Sequence, residues 1–368
     1  MNKLEEARKN INEIDKEMAK LFTERMEAAR NVAEYKREHG LSILDSSRER
    51  QLIAKNSEYI KDADIRSYYV QFLKEMMNIS KQYQHRLLNG VRVAYSGVEG
   101  AFADIAAKRI FPDGQQISYP NFEEAYKAVE KGECDMAVLP IENSFAGEVG
   151  QVTDLMFKGR LFVTGVYTLK IAQNLMSVEG ATVDGIEKVI SHPQALSQCA
   201  GYIKKHGFEE EESVNTAVAA KTVAKLGNPK VAAIASRETA KLYGLKLIDH
   251  DINESEINFT KFAVFSRSRN NLTSNGGTFI LLFTVKHSAG ALADAVNVIG
   301  KYGFNMKTLR SRPMRDLPWQ YYFYVEAEGD ENSSLGKEML SELKNHCDMM
   351  KIVGSYASEI DLKGGKKK

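Results

Sequence analysis

The 368-residue chain carries 50 lysines and arginines against 49 aspartates and glutamates, a balance that excludes bulk attraction to nucleic acid or an anionic membrane, so any anion site must be local. No run of eighteen apolar residues occurs and the N-terminus lacks a signal-peptide core, which predicts a soluble, cytoplasmic protein of two or three domains. Cys134, Cys199 and Cys347 are odd in number, far apart and outside any CxxC or His/Cys cluster, so neither a disulfide framework nor a metal site is expected.

Residues 1–89 contain no proline and one glycine, Gly40, which predicts a helical zone. At about 100° per residue, Leu4, Ala7, Ile11, Ile14, Met18, Leu21, Phe22, Met26, Ala29, Val32 and Ala33 share one arc and predict the core stripe of a long helix. Arg25 and Lys36 fall about 20° apart near the middle of that arc, while Arg8 stands at its edge, about five turns away. Burying unpaired cations costs several kcal/mol, so these need partners that their own helix does not supply. Snorkelling at a stripe edge explains one such residue better than two central ones. The next segment, "ILDSSRERQLI", brings Asp45, Arg48 and Glu49 to a helix start with Asp45 as N-cap, a pattern that an ordinary capped surface helix also shows. In "MMNISKQYQHRLL", Ser80 and Gln84 share a face of a third helix.

From "GVRVAYSG" at position 90, short β-branched runs alternate with amphipathic segments, predicting α/β layering with largely parallel strands and room for two similar lobes. Four stretches, "YSGVEGAF", "LPIENSFAGEV", "SHPQALSQC" and "NFTKFAVFS", each put small or amide residues at a strand's carboxyl end, the edge where open α/β sheets hold anions on backbone N–H groups and helix N-termini. Each alone also reads as a plain strand-to-helix turn, with His192 as a structural cap beside Pro193. The polar, aperiodic "SRSRNNLTSNGG" predicts a linker at 269–277. Beyond it the order is βαββαβ, a ferredoxin-like unit over 278–357, followed by a frayed tail at 358–368.

Three arginines, a lysine, two carboxylates, a serine and a glutamine converging in a helical bundle would form a dry cage for a small hydroxylated dianion. In order and spacing, this set resembles the all-helical chorismate mutase family over about residues 4–88. The resemblance implies that Arg8, Arg25 and Arg48 hold substrate carboxylates, that Lys36 and Gln84 contact the ether oxygen, and that Asp45, Glu49 and Ser80 orient the ring and its hydroxyl. It also implies two interlocked chains, with Arg8 reaching into the partner's site. The four α/β motifs together resemble prephenate dehydratase over about 90–268, a two-lobed fold similar to periplasmic binding proteins. They imply a prephenate cleft with Asn143, Ser191 and Gln198 as polar contacts and Thr260 as the central residue. Lys261 stands where that family has arginine, exchanging a planar fork for a point charge, and Val98 and Ala101 replace its usual proline and hydroxyl residue. The last unit resembles an ACT domain, whose phenylalanine-binding segments correspond to "GALA" (Gly290, Ala291, Leu292) and "RSRP" (Arg310, Ser311, Arg312, Pro313). Arg310 takes the place of the usual glutamate.

The expected architecture is therefore multidomain: an all-α domain at 1–89, a two-lobed α/β domain at 90–268, a linker, and a βαββαβ ACT domain at 278–357. The expected function is that of the bifunctional chorismate mutase/prephenate dehydratases: chorismate to prephenate, then decarboxylation and dehydration to phenylpyruvate, with phenylalanine as effector. The partners implied are these small molecules and further copies of the chain, as dimer or tetramer, with no cofactor and no metal. The alternatives are a non-catalytic sensor of aromatic metabolites, or a chorismate mutase whose remaining zones only regulate it.

Overall fold

The computed structural model describes residues 2–41, 43, 45–255, 257–270, 277–314, 317 and 319–362. Most of the expected linker and the last six residues of the expected tail lie outside the described residues. The chain divides into two compact units, one built from the three N-terminal helices and the other beginning in the first strand. Among the described residues no helix is long and apolar enough to cross a membrane.

The first unit consists of α1 (Lys3–Glu38), α2 (Ser46–Ser57) and α3 (Ala63–Asn89). Each start is capped: Asn2 forms a capping box with Glu5, Asp45 accepts from the Arg48 N–H at 2.9 Å, and Asp62 accepts from Asp64 and Ile65. The apolar arc of α1 departs from expectation. Only Ala29 and Ala33 are buried, whereas Ile14 and Leu21 are 58% and 60% exposed. Bonds to α3 start at Arg25 and Arg30, which reach Ser80 and Tyr83. The arc is core along its last third and a bare apolar face before that, because a helical wheel finds a face without saying what covers it.

The second unit runs β1 (Arg92–Ser96), α4 (Phe102–Ile110), β2 (Gln115–Tyr119), α5 (Phe122–Glu130), β3 (Met136–Asn143), β4 (Gly147–Glu148), α6 (Gly150–Lys158) and β5 (Phe162–Lys170). A second lobe follows: β6 (Asn174–Ser177), β7 (Lys188–Ser191), α7 (Pro193–Gln198), α8 (Ala200–His206), β8 (Glu209–Glu212), α9 (Thr216–Leu226), β9 (Val231–Ala235), α10 (Arg237–Tyr243) and β10 (Lys246–Asp249). The chain then returns through β11 (Phe259–Ser266). The second lobe has its own five-stranded sheet, ordered β10-β6-β9-β7-β8. Both sheets are mixed rather than largely parallel. β1 and β3 are parallel, but β11 is antiparallel to both β3 and β5, and β6 is antiparallel to β9 and β10. The reason is topological: Thr260 pairs with Asn143 and Phe259 with Lys170, so β11 re-enters the first sheet at the end by which β5 left it.

The C-terminal portion contains β12 (Thr278–Thr284), α11 (Ala291–Lys301), β13 (Asn305–Pro313), β14 (Tyr321–Glu328), α12 (Ser334–Leu343) and β15 (Met349–Tyr356), in the expected βαββαβ order. All seven residues of β12 are buried. Phe279, Leu281 and Phe283 face the helices, while Ile280 and Leu282 join the core of the first lobe, which accounts for an unbroken apolar run where an alternating one would mark a half-exposed strand. β15 meets β5 at Gly354 and Val163. A Cβ on Gly354 would stand 2.0 Å from the Val163 carbonyl oxygen, so only glycine lets the two sheets join. Residues 359–362 depart from the expected frayed tail: they form β16 (Glu359–Leu362), paired with β5, whose edge offers a ladder for them.

Candidate active sites

In the helical unit, Arg25, Lys36, Asp45, Arg48, Glu49, Ser80 and Gln84 line one cavity of about 270 Å³. Seven of the eight expected residues thus meet; the eighth, Arg8, lies exposed on the bare part of α1. Arg25 donates to the Ser80 hydroxyl, which donates in turn to the Met76 carbonyl at 2.9 Å. Burial holds the Arg25 pKa below its ordinary value. Lys36 Nζ donates to the Ile43 carbonyl at 2.8 Å, holding the loop before Asp45 against α1. The buried Gln84 Oε1 has no hydrogen-bond partner among the described residues. Lys81 also lines the cavity and pairs with Glu49 at 2.9 Å. It was missed in the sequence, although it lies one turn from Met77 on the same face of α3. Four cations against two carboxylates make this a site for a small polyanion.

The second cavity, about 780 Å³, lies in the cleft between the two lobes of the α/β unit. Among the described residues its wall holds no lysine, arginine, aspartate or glutamate. Instead the first residues of α4, α7 and α9 face it: Phe102 and Ala103, Gln194 and Ala195, and Thr216 and Val218. The N-terminus of α4 carries no side-chain cap, so its N–H groups remain open to an anion. His192 does cap α7, its Nδ1 accepting from the Gln194 N–H at 3.2 Å. Burial lowers the His192 pKa, against a smaller opposing effect of Glu212.

Asn143 and Thr260 form one rung between β3 and β11. Asn143 Nδ2 has three acceptors for its two protons: Thr260 Oγ1 at 2.9 Å, and Asn258 Oδ1 and the Phe259 carbonyl, both at 3.1 Å. Asn143 Oδ1 accepts from the N–H groups of Phe145 and Ala146. The Thr260 hydroxyl, already accepting, keeps its single proton for whatever enters the cavity. Gln198 Oε1 accepts from Gln173 at 3.1 Å, leaving the Gln198 N–H groups for a ligand. Ser191 is not brought to this wall: it is fully buried, and its hydroxyl donates to the Ile234 carbonyl at 2.6 Å. Lys261 points away from the cavity toward Glu142 and Glu359. Gln173, Gln194, Asn215 and Thr216 also line the cleft without having been anticipated. For Asn215 the helix-start pattern in "VNTAVAAK" was a usable signal.

In the C-terminal portion, Gly290 takes φ +84° at the start of α11, with Ala291 and Leu292 half-buried behind it. The far ends of β12 and β13 both register with Tyr321–Tyr322 of β14, so the Gly290 and Arg310–Pro313 segments lie at the same end of this sheet. The two arginines of "RSRP" are already engaged: Arg310 pairs with Glu142, and Arg312 with Asp154 at 3.1 Å. Ser311 and Pro313 are exposed between and beyond them. No group of three or more His, Cys, Asp or Glu side chains suited to a metal ion occurs among the described residues.

Comparison with known proteins matches the family model for chorismate mutase type II to residues 7–85 and that for prephenate dehydratase to residues 93–270. A bifunctional chorismate mutase/prephenate dehydratase from Enterobacter agglomerans is 30% identical over 97% of both chains. Among solved structures, a prephenate dehydratase from Arthrobacter aurescens in complex with L-Phe is 25% identical with a TM-score of 0.68, over 73% of this chain and 90% of that one. A chain described as a quorum quenching acylase, GqqA, is 28% identical with a TM-score of 0.67, over 73% and 98%.

Proposed function

The chain belongs to the bifunctional chorismate mutase/prephenate dehydratase family, and from that premise we propose how its two cavities divide the work. The helical cavity rearranges chorismate to prephenate, and the interlobe cleft converts prephenate to phenylpyruvate, carbon dioxide and water.

In the first step a carbon–oxygen bond breaks as a carbon–carbon bond forms, with no nucleophile and no proton transfer. Catalysis then consists of holding the folded conformer and stabilising negative charge on the departing ether oxygen. Arg25 and Arg48 take the two carboxylates, with Lys81 adding to the local positive field. Lys36 and the Gln84 amide donate to the ether oxygen, while Asp45, Glu49 and Ser80 orient the ring hydroxyl. The exposed stripe of α1 supports a second copy of the chain as its cover, with Arg8 completing the partner's site.

In the second step the ring carboxylate leaves as carbon dioxide. Its bonding pair enters the ring as the C–O bond opposite breaks, and the departing hydroxyl needs a proton or a strong hydrogen bond. The carrying observation is the bond from Asn143 to Thr260 Oγ1, which supports the Thr260 hydroxyl as a donor toward the cavity. The open N-terminus of α4 receives the substrate's negative charge, with the dipoles of α7 and α9, capped by His192 and Asn215, adding to it, and Gln198 contributes a neutral donor. Acyl hydrolysis, the activity named for GqqA, draws no support from this wall. Among the described residues no hydroxyl is bonded to His192, as a nucleophile and base would be.

We assign residues 278–357 as an ACT domain that binds phenylalanine at Gly290–Leu292 and Arg310–Pro313 between paired copies. The L-Phe complex of the Arthrobacter aurescens enzyme supports this effector. Chorismate incubated with the full chain and followed over time tests the whole reading. Phenylpyruvate is the expected end product. Prephenate that accumulates without further turnover would make the cleft a binding site only, and unchanged chorismate would refute the mutase assignment, with prephenate supplied directly then testing the cleft.

A further inference from the structure

Thr260 and Asn143 occupy one rung of the β3–β11 ladder, and Lys261 and Glu142 occupy the next. Directly beyond, the register slips: Phe262 pairs with Pro140, so Ile141 is an extra residue. A bulge interrupts ladder hydrogen bonds and lets strands re-aim their side chains, and Pro140 has no N–H to contribute. On this side the backbone alone therefore holds the Asn143–Thr260 rung weakly. The far side of the rung is tied by the bond from the Ser144 N–H to the Phe259 carbonyl at 2.8 Å; on the bulge side, charge supplies the tie. Glu142 is gripped by Lys261 at 3.6 Å across the rung and by Arg310 from β13. Lys261 is shared with Glu359 at 3.3 Å, so Arg310 is the partner that Glu142 does not divide with another carboxylate of the rung.

We propose that Arg310, standing outside the cleft, is a positioning residue for the dehydratase reaction: by holding Glu142 it fixes the bulged rung that aims the Thr260 hydroxyl. The inference rests on the dehydratase reading given above. It also gives Arg310 a task that a glutamate at this position could not perform, since a carboxylate facing Glu142 would push β3 away. Burial works to lower the Lys261 pKa but is outweighed by Glu359, Glu326 and Glu142, so Lys261 stays charged and the clamp is intact at neutral pH. Misplacement of a reacting group by about 1 Å costs up to about a hundredfold in rate, and the loss falls on kcat because the hydroxyl acts on the departing group.

The test uses the full-length chain without phenylalanine, assayed for prephenate turnover. Arg310→Gln is expected to lower kcat at least about tenfold, in line with that misplacement cost, with KM little changed. Arg310→Lys should restore most of it. Glu142→Gln should match Arg310→Gln, and the double variant should be no worse than either single one. Chorismate turnover by the same samples reports that the helical zone is folded. Wild-type-like kcat in Arg310→Gln, or losses that multiply in the double variant, would overturn the proposal while leaving the dehydratase reading intact. Wild-type chain that fails on prephenate would instead remove that reading and this one with it.

Discussion

Replacing Thr260 with valine keeps the shape of the side chain and removes one oxygen, which separates catalysis from folding. Thr260 Oγ1 is one of three acceptors that Asn143 Nδ2 reaches, yet an amide nitrogen has two protons. Asn258 Oδ1 and the Phe259 carbonyl can still satisfy both, so the stability loss should stay near the net value of one hydrogen bond, about 1 kcal/mol. In a domain of this size that lowers Tm by roughly 2–4 °C. The catalytic loss is of another order. Removing a preorganised donor to developing charge costs about 10²–10³ in kcat, or about 2.7–4 kcal/mol. Thr260→Ser, which keeps the hydroxyl, should remain within about tenfold of wild type, well short of that range. Phenylpyruvate formation under saturating prephenate, beside a thermal melt of each variant, makes the comparison. A Thr260→Val enzyme within tenfold of wild type would refute the role assigned to this hydroxyl. A large fall in Tm would instead show that the Asn143 network cannot regroup as argued.

Arg25→Met should lower mutase kcat/KM by at least about a hundredfold and leave prephenate turnover unchanged, which parallel assays on one sample would reveal. Asp45→Ala removes both a cap and a cavity carboxylate, at about 1 kcal/mol, whereas Asp45→Asn keeps the cap and loses only the charge. Circular dichroism melts should therefore distinguish the two, while mutase activity falls in both. For His192 the folded pKa lies below its ordinary 6.5, so the unfolded chain binds the proton more readily. The cap on α7 is thus fully present above pH 6.5 and is lost as pH falls through the lower folded value. Prephenate kcat/KM should decline over that window, and His192→Asn, a capping residue that does not titrate there, should flatten the profile. Gly354→Ala would drive a methyl group into the Val163 carbonyl and should destabilise the second unit by about 1–3 kcal/mol, visible in a denaturant melt.

How much could be read in advance depends on how local each feature is. The absence of proline before position 112, the Asp45 start signal and the arc shared by Arg25 and Lys36 are local, and they pointed to the helical zone and its inward cations, whereas the meeting of Arg48 and Glu49 with them was implied by the family resemblance. Asn143 does close its strand at the carboxyl end, as expected, whereas Thr260 stands at the amino end of β11 and not at the carboxyl end expected of it, because β11 runs antiparallel to β3. Their pairing could not be read in advance, since it depends on a chain that leaves the first lobe after Lys170 and returns at Phe259. Ser191 shows the opposite limit: a serine beside a helix start looks the same whether it meets ligand or, as here, the Ile234 carbonyl. Lys81 was hidden because a lysine on a helix surface is ordinarily solvated, and only the fold turns it toward Glu49. The bare face of α1 and strand β16 were out of reach for a shared reason: each depends on what lies opposite, which no short-range pattern encodes.

The burial of β12 on both faces governs how this protein can be dissected. Ending the chain near residue 270, the obvious way to ask what the last portion contributes, would strip Ile280, Leu282, Tyr322 and Val353 from the core they share with Val163 and Phe265. It would also leave β5 without its β15 and β16 neighbours. Such a fragment would present a raw hydrophobic wound along a sheet edge, an invitation to aggregate, and its behaviour would report that damage rather than the role of the missing portion. Point changes along β13, whose outer edge is unpaired among the described residues, ask the same question of an undamaged molecule.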